Sequence, residues 1–238
     1  MQLRIWFTKF TIYFKIKKLK TILLYIYYFL RSVFYRGLFK TLQLLSYEKR
    51  YEKLFGINTA QIKKSDDADN FHYQGAGYMV LLDVLKQIPD DYKSLGFIDY
   101  GSGKGRALFC AEYCGFNRLI GVEMDKELNQ MAQKNLTAYT KKRTESHFEF
   151  VNENALHFTI PKGTAVFYFF NPFSDKIMDE VAKKISNYAE REQQDVLIVY
   201  LNPKYKEVWL KNGFMAQKTI KTHLYTEAIL FKKKLFWI

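Results

Sequence analysis

A chain of 238 residues, 48% hydrophobic and 26% charged with only four prolines, is long enough for one α/β domain with a short appendage. That composition excludes a disordered, collagenous or low-complexity protein, and two cysteines, Cys110 and Cys114, make no disulfide framework, so a reducing cytoplasm is the expected compartment. The net charge of +13 is uneven: residues 1–50 hold eleven Lys or Arg against Glu48 alone, which leaves residues 51–238 with a net charge of only +3.

In chain order the first element is this basic, aromatic arm, residues 1–50, expected to be helical and carrying Trp6, Phe10, Tyr13, Phe14, Tyr25, Tyr27, Tyr28, Phe34 and Phe39. Its longest uncharged stretch, Thr21 to Leu30, would reach about 15 Å as a helix, half of a hydrocarbon core, so a transmembrane span is not expected. No small-residue cleavage site follows it, which argues against a signal peptide. A helical wheel over the whole arm gives no clean polar face, and Phe10 to Ile16 alternates like a strand. Three roles stay open for it: a cap packed on the domain, contact of residues 1–45 with the inner face of the membrane, or nucleic-acid binding.

Residues 51–70 read as a connecting segment that ends in the polar run Lys63 to Asn70, and residues 71–238 read as the main domain. There, Tyr78 to Gln87 reads as a helix, Gly96 to Tyr100 as a buried strand and Arg106 to Tyr113 as a helix. Leu119 to Glu123 follows as strand, Lys126 to Tyr139 as helix, Phe148 to Val151 and Ala165 to Phe170 as strands, Asp175 to Ala189 as helix and Val196 to Leu201 as strand. Lys218 to Tyr225 and Glu227 to Lys233 close the chain as two strands joined too tightly to be parallel. The expected fold is α/β: a Rossmann-like, doubly wound, mostly parallel sheet in three α/β/α layers, with an antiparallel C-terminal strand pair and an N-terminal helical arm.

The most informative segment is Phe97-Ile-Asp-Tyr-Gly-Ser-Gly-Lys-Gly-Arg106, where an apolar strand runs through Asp99 into glycines at alternate positions and then a helix. Such a loop lies at the carboxyl edge of the sheet, where open α/β folds bind ligands. A phosphate-binding G-x-x-x-x-G-K-[ST] loop fails because Gly105 follows Lys104, and a dinucleotide G-x-G-x-x-G fingerprint fails on spacing. The remaining pattern, D-x-G-x-G-x-G, matches at every position. A second strand tip carries Glu123, whose carboxylate can accept both hydroxyls of a ribose.

With these features the chain resembles the class I S-adenosylmethionine-dependent methyltransferases over about residues 70–235. The resemblance implies that S-adenosyl-L-methionine is the cofactor, its amino-acid end held by Asp99, Gly101, Ser102, Gly103 and Gly105 and its ribose by Glu123. Glu153-Asn154-Ala155 stands where the family places Asp-Ala against adenine; Asn154 departs from the usual aspartate, yet its amide oxygen can accept from the adenine amino group. A finer resemblance is to a bacterial group with Gly56-Ile-Asn-Thr59 ahead of the domain and a Gly-Ser-Gly-Lys-Gly-Arg loop. More distantly the chain is similar to seven-strand protein-lysine methyltransferases, in which an aromatic-led segment covers the cofactor; Tyr73 and Tyr78 are the matching candidates.

The fourth strand ends in Asn171-Pro172-Phe173, which resembles the N-P-P-[YF] signature of amino- and amide-N-methyltransferases without its second proline. Asn171 would accept from a substrate amine, Pro172 would fix the turn, and Phe173 would offer a face for packing. Asn202-Pro203 repeats the pair and reads as a structural turn. Lys104 and Arg106 are open to meeting a substrate or cofactor anion or to being solvated, and His72, His147, His157, His223 and the two cysteines show no metal-ligand spacing. The function expected is methyl transfer to a nitrogen, with a protein amine as the acceptor. Nucleic-acid N-methylation, a catalytically idle cofactor-binding scaffold docked through the arm and, more remotely, a nicotinamide oxidoreductase stand as alternatives. Oligomeric state is not legible.

Overall fold

The computed structural model describes residues 19, 22–23, 25–60, 75–139 and 146–233. Its strands are β1 Gly96–Tyr100, β2 Arg118–Val122, β3 His147–Val151, β4 Thr164–Phe169, β5 Val196–Leu201, β6 Met215–Thr222 and β7 Tyr225–Lys233. They form one seven-stranded sheet in the order β3-β2-β1-β4-β5-β7-β6. β1 runs parallel to β2 and β4, β2 to β3, and β4 to β5, whereas β7 lies antiparallel to β5 with Leu201 opposite Ala228. The turn between β6 and β7 is only His223-Leu224, with His223 at φ 51°, so the last two strands have no room for a crossover.

Helical residues 25–36 precede α1 Leu38–Phe55, and the further described helices are α2 Tyr78–Leu85, α3 Asp90–Lys93, α4 Arg106–Tyr113, α5 Lys126–Ala138, α6 Asp175–Glu192 and α7 Lys206–Lys211. Strands β1, β4 and β5 are buried along their whole length, as continuous apolar runs covered on both faces must be. Successive residues alternate between two cores. Phe97, Val166 and Tyr168 join Leu81, Leu85, Leu108 and Phe109 of α2 and α4 on one face. Ile98, Phe167 and Phe169 join Met178, Val181 and Ile185 of α6 on the other.

The expected doubly wound sheet with its antiparallel end is the observed architecture. α2 ends two residues earlier than read, and α3 and α7, four and six residues long, were not foreseen because one turn carries no readable period. β6 begins at Met215 rather than Lys218; as an exposed edge strand it lacks the alternation that marks a half-buried one.

The N-terminal boundaries differ more. The chain divides into two compact units, residues 1–43 with 222–225, and residues 44–221 with 226–238. The arm boundary read at residue 50 therefore falls inside α1, and residues 51–59 of the supposed connector are packed, with Tyr51, Phe55, Ile57 and Thr59 all buried. The reason is Arg106, the first residue of α4. Buried at 4% exposure, its Nη1 donates to Glu48 Oε2 (2.8 Å) and the Ala76 carbonyl (2.7 Å), and its Nη2 to Glu52 Oε1 (3.2 Å). Its Nε donates to Thr59 Oγ1 (2.7 Å), and the guanidinium lies 4.2 Å over the Tyr78 ring. Glu52 in turn accepts from the Thr59 N–H and from Tyr78 Oη, and Glu48 accepts from the Tyr78 N–H.

Breaking one side of a buried ion cluster leaves the other uncompensated, at a cost of about 3–5 kcal/mol. Arg106→Leu is therefore expected to lower unfolding free energy by about 3 kcal/mol or more in urea titration. A loss below about 1 kcal/mol would mean that water already screens Glu48 and Glu52.

Candidate cofactor and acceptor site

Chain direction reverses across the sheet between β1 and β4, and the two candidate segments follow these strands at their carboxyl ends. Gly101, immediately after β1, has φ 74°, and a Cβ there would stand 2.3 Å from Pro172 Cβ. The glycine loop and the Asn-Pro-Phe segment are thus brought into contact, as a site shared by cofactor and acceptor requires.

The loop is tied to β2. The N–H groups of Gly101 and Ser102 donate to the Val122 carbonyl at 2.9 and 3.1 Å, and the Gly105 N–H donates to the Ser102 carbonyl at 2.8 Å. Gly105 takes φ 84° directly before α4, where a Cβ would meet the Phe150 ring at 2.8 Å, so only glycine fits. The Ser102 hydroxyl is buried without a hydrogen-bond partner and lies against Gly121, where a Cβ would approach it to 2.7 Å. Its side chain faces the sheet.

Two acids define the electrostatics. Glu123, just past β2, accepts from the Gly103 N–H (Oε2, 2.9 Å) and the Asp125 N–H (Oε1, 2.8 Å), which fixes both oxygens beside the loop. Burial still raises its pKa from the ordinary 4.5, against the pull of those two N–H groups. Asp99, in β1, is 3% exposed, and among the described residues no group donates a hydrogen bond to its carboxyl. Burial, with the Glu123 charge adding to it, pushes Asp99 well above its ordinary 3.8. Two desolvated carboxyls with no cation paired to them among the described residues fit a cationic ligand, and the ammonium and sulfonium of S-adenosylmethionine would supply such charges. Among the described residues no group of His, Cys, Asp and Glu is placed to hold a metal ion.

The adenine-end candidates are less open. Asn154 Oδ1 accepts from the Leu156 N–H at 2.9 Å, an Asx turn that occupies one lone pair of the oxygen assigned to adenine, and Ala155 is buried. Tyr73 lies outside the described residues. Tyr78 does not cover a cofactor: it is fully buried, stacks on Tyr51 at 5.7 Å and donates to Glu52.

At the acceptor edge, Asn171 sits at φ 46°, a left-handed conformation that asparagine tolerates better than other non-glycine residues. Its amide is braced inside the chain: Oδ1 accepts from Tyr200 Oη at 2.6 Å, and Nδ2 donates to the carbonyl of Asn202, which is also left-handed. The Asn202-Pro203 turn is thus the clamp that orients Asn171, and Tyr200 is a positioning residue that β5's apolar pattern gave no reason to single out. Phe173, 8% exposed, belongs to the core on the α6 face, so its ring is not open to a substrate. Lys104 and Arg106 are neither solvated nor directed to a ligand anion; both are buried, and burial holds Lys104 below the ordinary lysine range despite Glu52 nearby.

No family profile matches the chain, and no curated protein matches it. Solved structures do. A protein described as a candidate RNA methyltransferase from Pyrococcus horikoshii aligns with a TM-score of 0.53 at 17% identity, covering 80% of this chain and 97% of that one. A second protein, from Pyrococcus horikoshii OT3, aligns with a TM-score of 0.51 at 15% identity, covering 78% and 99%. Magnesium protoporphyrin IX methyltransferase from Synechocystis PCC 6803, with S-adenosylmethionine bound in its own structure, aligns with a TM-score of 0.49 at 15% identity, covering 66% and 79%. With the two Pyrococcus horikoshii proteins, at these identities, what is shared is the fold, a Rossmann-like seven-stranded sheet.

The raised acid pKa carries a pH signature. Between the unfolded value near 3.8 and its higher folded value, Asp99 binds a proton in the native state that the unfolded chain has lost. Its contribution to stability is therefore complete below the unfolded pKa and lost as pH rises through the folded one. Ligand-free protein is expected to lose stability across that window, and Asp99→Asn to flatten the dependence and raise the midpoint of thermal unfolding at neutral pH. An unchanged pH profile would show that Asp99 is ionised at no cost.

Proposed function

We propose that the protein is an S-adenosylmethionine-dependent methyltransferase that acts on a nitrogen acceptor, and that the acceptor class is a protein amine. The observation that carries the reading is the meeting of two segments at the topological switch point. The D-x-G-x-G-x-G loop, with its uncompensated Asp99 and its backbone-held Glu123, lies in contact with the Pro172 turn. When bound, the cofactor supplies an electrophilic methyl group on a sulfonium. Asp99 opposes the ligand's ammonium, Glu123 retains lone pairs for ribose hydroxyls, and the Gly101–Pro172 contact sets how closely an acceptor approaches the loop.

Asn171 Oδ1 has a second lone pair. Its other neighbour, the Lys204 N–H at 3.4 Å, is at the limit of a hydrogen bond, so a substrate amine can displace it. Tyr200 and Asn202 hold the amide in register for that contact. A nucleic-acid acceptor is less favoured, because residues 51–238 carry a net charge of only +3.

The test is transfer of radiolabelled methyl to a cell extract by the full chain. Label in protease-sensitive, base-stable and nuclease-resistant material is expected, and nuclease-sensitive label would overturn the acceptor class. Asn171→Ala is expected to lower turnover by about two orders of magnitude while leaving cofactor affinity within about threefold, the pattern of a group that matters only at the acceptor. Tyr200→Phe should fall between the two, because it frees the amide without removing it. Unchanged turnover in Asn171→Ala would remove that residue from the site.

A further inference from the structure

We propose that the apolar stripe of the N-terminal unit docks on the surface of a bilayer containing anionic lipid. The described residues from 19 to 36 are helical, and Leu19, Ile22, Leu23, Ile26, Leu30 and Phe34 recur at helical spacing along one face. Each is exposed, Leu30 at 59% and Phe34 at 67%. Within the unit, Phe29, Ser32, Val33 and Arg36 are half-buried. There the Leu224 N–H donates to the Tyr35 carbonyl at 3.2 Å, and Arg36 lies 4.0 Å over the Tyr225 ring. After Gly37, at φ 83°, α1 adds exposed Leu38, Leu42 and Phe39, the last 85% accessible.

Charge selects the occupant. No Asp or Glu precedes Glu48, while ten Lys or Arg lie between residues 1 and 49. Two copies of so basic a segment would repel one another, whereas an anionic headgroup layer attracts it and takes the aliphatic and aromatic stripe at its acyl boundary. Phosphodiester backbones offer the leucines and isoleucines nothing to bury against. No described helix is long and apolar enough to cross a membrane, so the contact lies in the interface plane.

The experiment is flotation of the full chain with phosphatidylcholine vesicles, with and without phosphatidylglycerol, at low and high salt. Binding at least about tenfold tighter to the anionic vesicles, and weakening as salt shortens the screening length, is expected. The exposed double substitution Leu30→Asp with Phe34→Asp is expected to lower that binding at least about tenfold. S-adenosylmethionine titration of the same variant should be unchanged, which separates this inference from the reading of the cofactor site. Three results would each overturn the proposal: protein remaining free with both vesicle types, equal binding by the variant, or a soluble dimer that Phe34→Asp disperses while vesicles recruit nothing.

Discussion

Arg106 cannot shed its charge, and it begins a helix whose other residues up to Glu112 are also buried. A guanidinium in that position has to be met by carboxylates, and the chain brings them from more than fifty residues upstream, from Glu48 and Glu52 on α1. Around that pairing the Thr59 hydroxyl, the Ala76 carbonyl and the Tyr78 ring close in. The consequence reaches the site, because Arg106 immediately follows the glycine loop. Its anchoring fixes where the loop ends, as Phe150 fixes Gly105 and Val122 fixes Gly101 and Ser102. Asn135 adds to this by donating to the Lys104 carbonyl and accepting from the Asn58 N–H, so that residues 56–59 are held beside the loop.

With the loop immobilised, its chemistry follows from what is left unpaired. The polar groups around Arg106 are satisfied many times over, whereas Asp99 is buried with no donor among the described residues and has a second carboxyl as its neighbour. A fold that spends its hydrogen bonds on one buried charge and withholds them from another a few residues away has placed a binding demand at the second. The acceptor edge shows the same division. The Asn171 amide is oriented by Tyr200 and Asn202, both on or beside β5, and Gly101 gives the Pro172 turn space to approach.

Much of this was legible in the chain. The continuous apolar runs of β1, β4 and β5 and the spaced glycines between Asp99 and Arg106 locate the sheet, its switch point and the loop, because burial on both faces and left-handed backbone each leave a mark in residue type. The roles of Tyr78, Phe173, Lys104 and Arg106 were not legible. Whether an aromatic or a base near a loop faces a ligand or the core depends on partners distant in sequence, such as Glu48 and Glu52, which no local pattern announces. The same holds for Tyr200: within an apolar strand its hydroxyl carries no sign that an asparagine twenty-nine residues earlier awaits it. The N-terminal boundary failed for a related reason, since α1 reads as part of a basic arm until its two glutamates are seen against Arg106.

The most direct test of the account is calorimetric titration of S-adenosylmethionine into the full chain in buffers of differing ionisation enthalpy. If Asp99 is the uncompensated acid that the cofactor's ammonium satisfies, binding releases a proton, the observed heat varies with the buffer, and Asp99→Asn both weakens binding and abolishes that variation. Binding with no buffer dependence and undiminished in Asp99→Asn, or no binding at all, would contradict the assignment of this loop as the cofactor site.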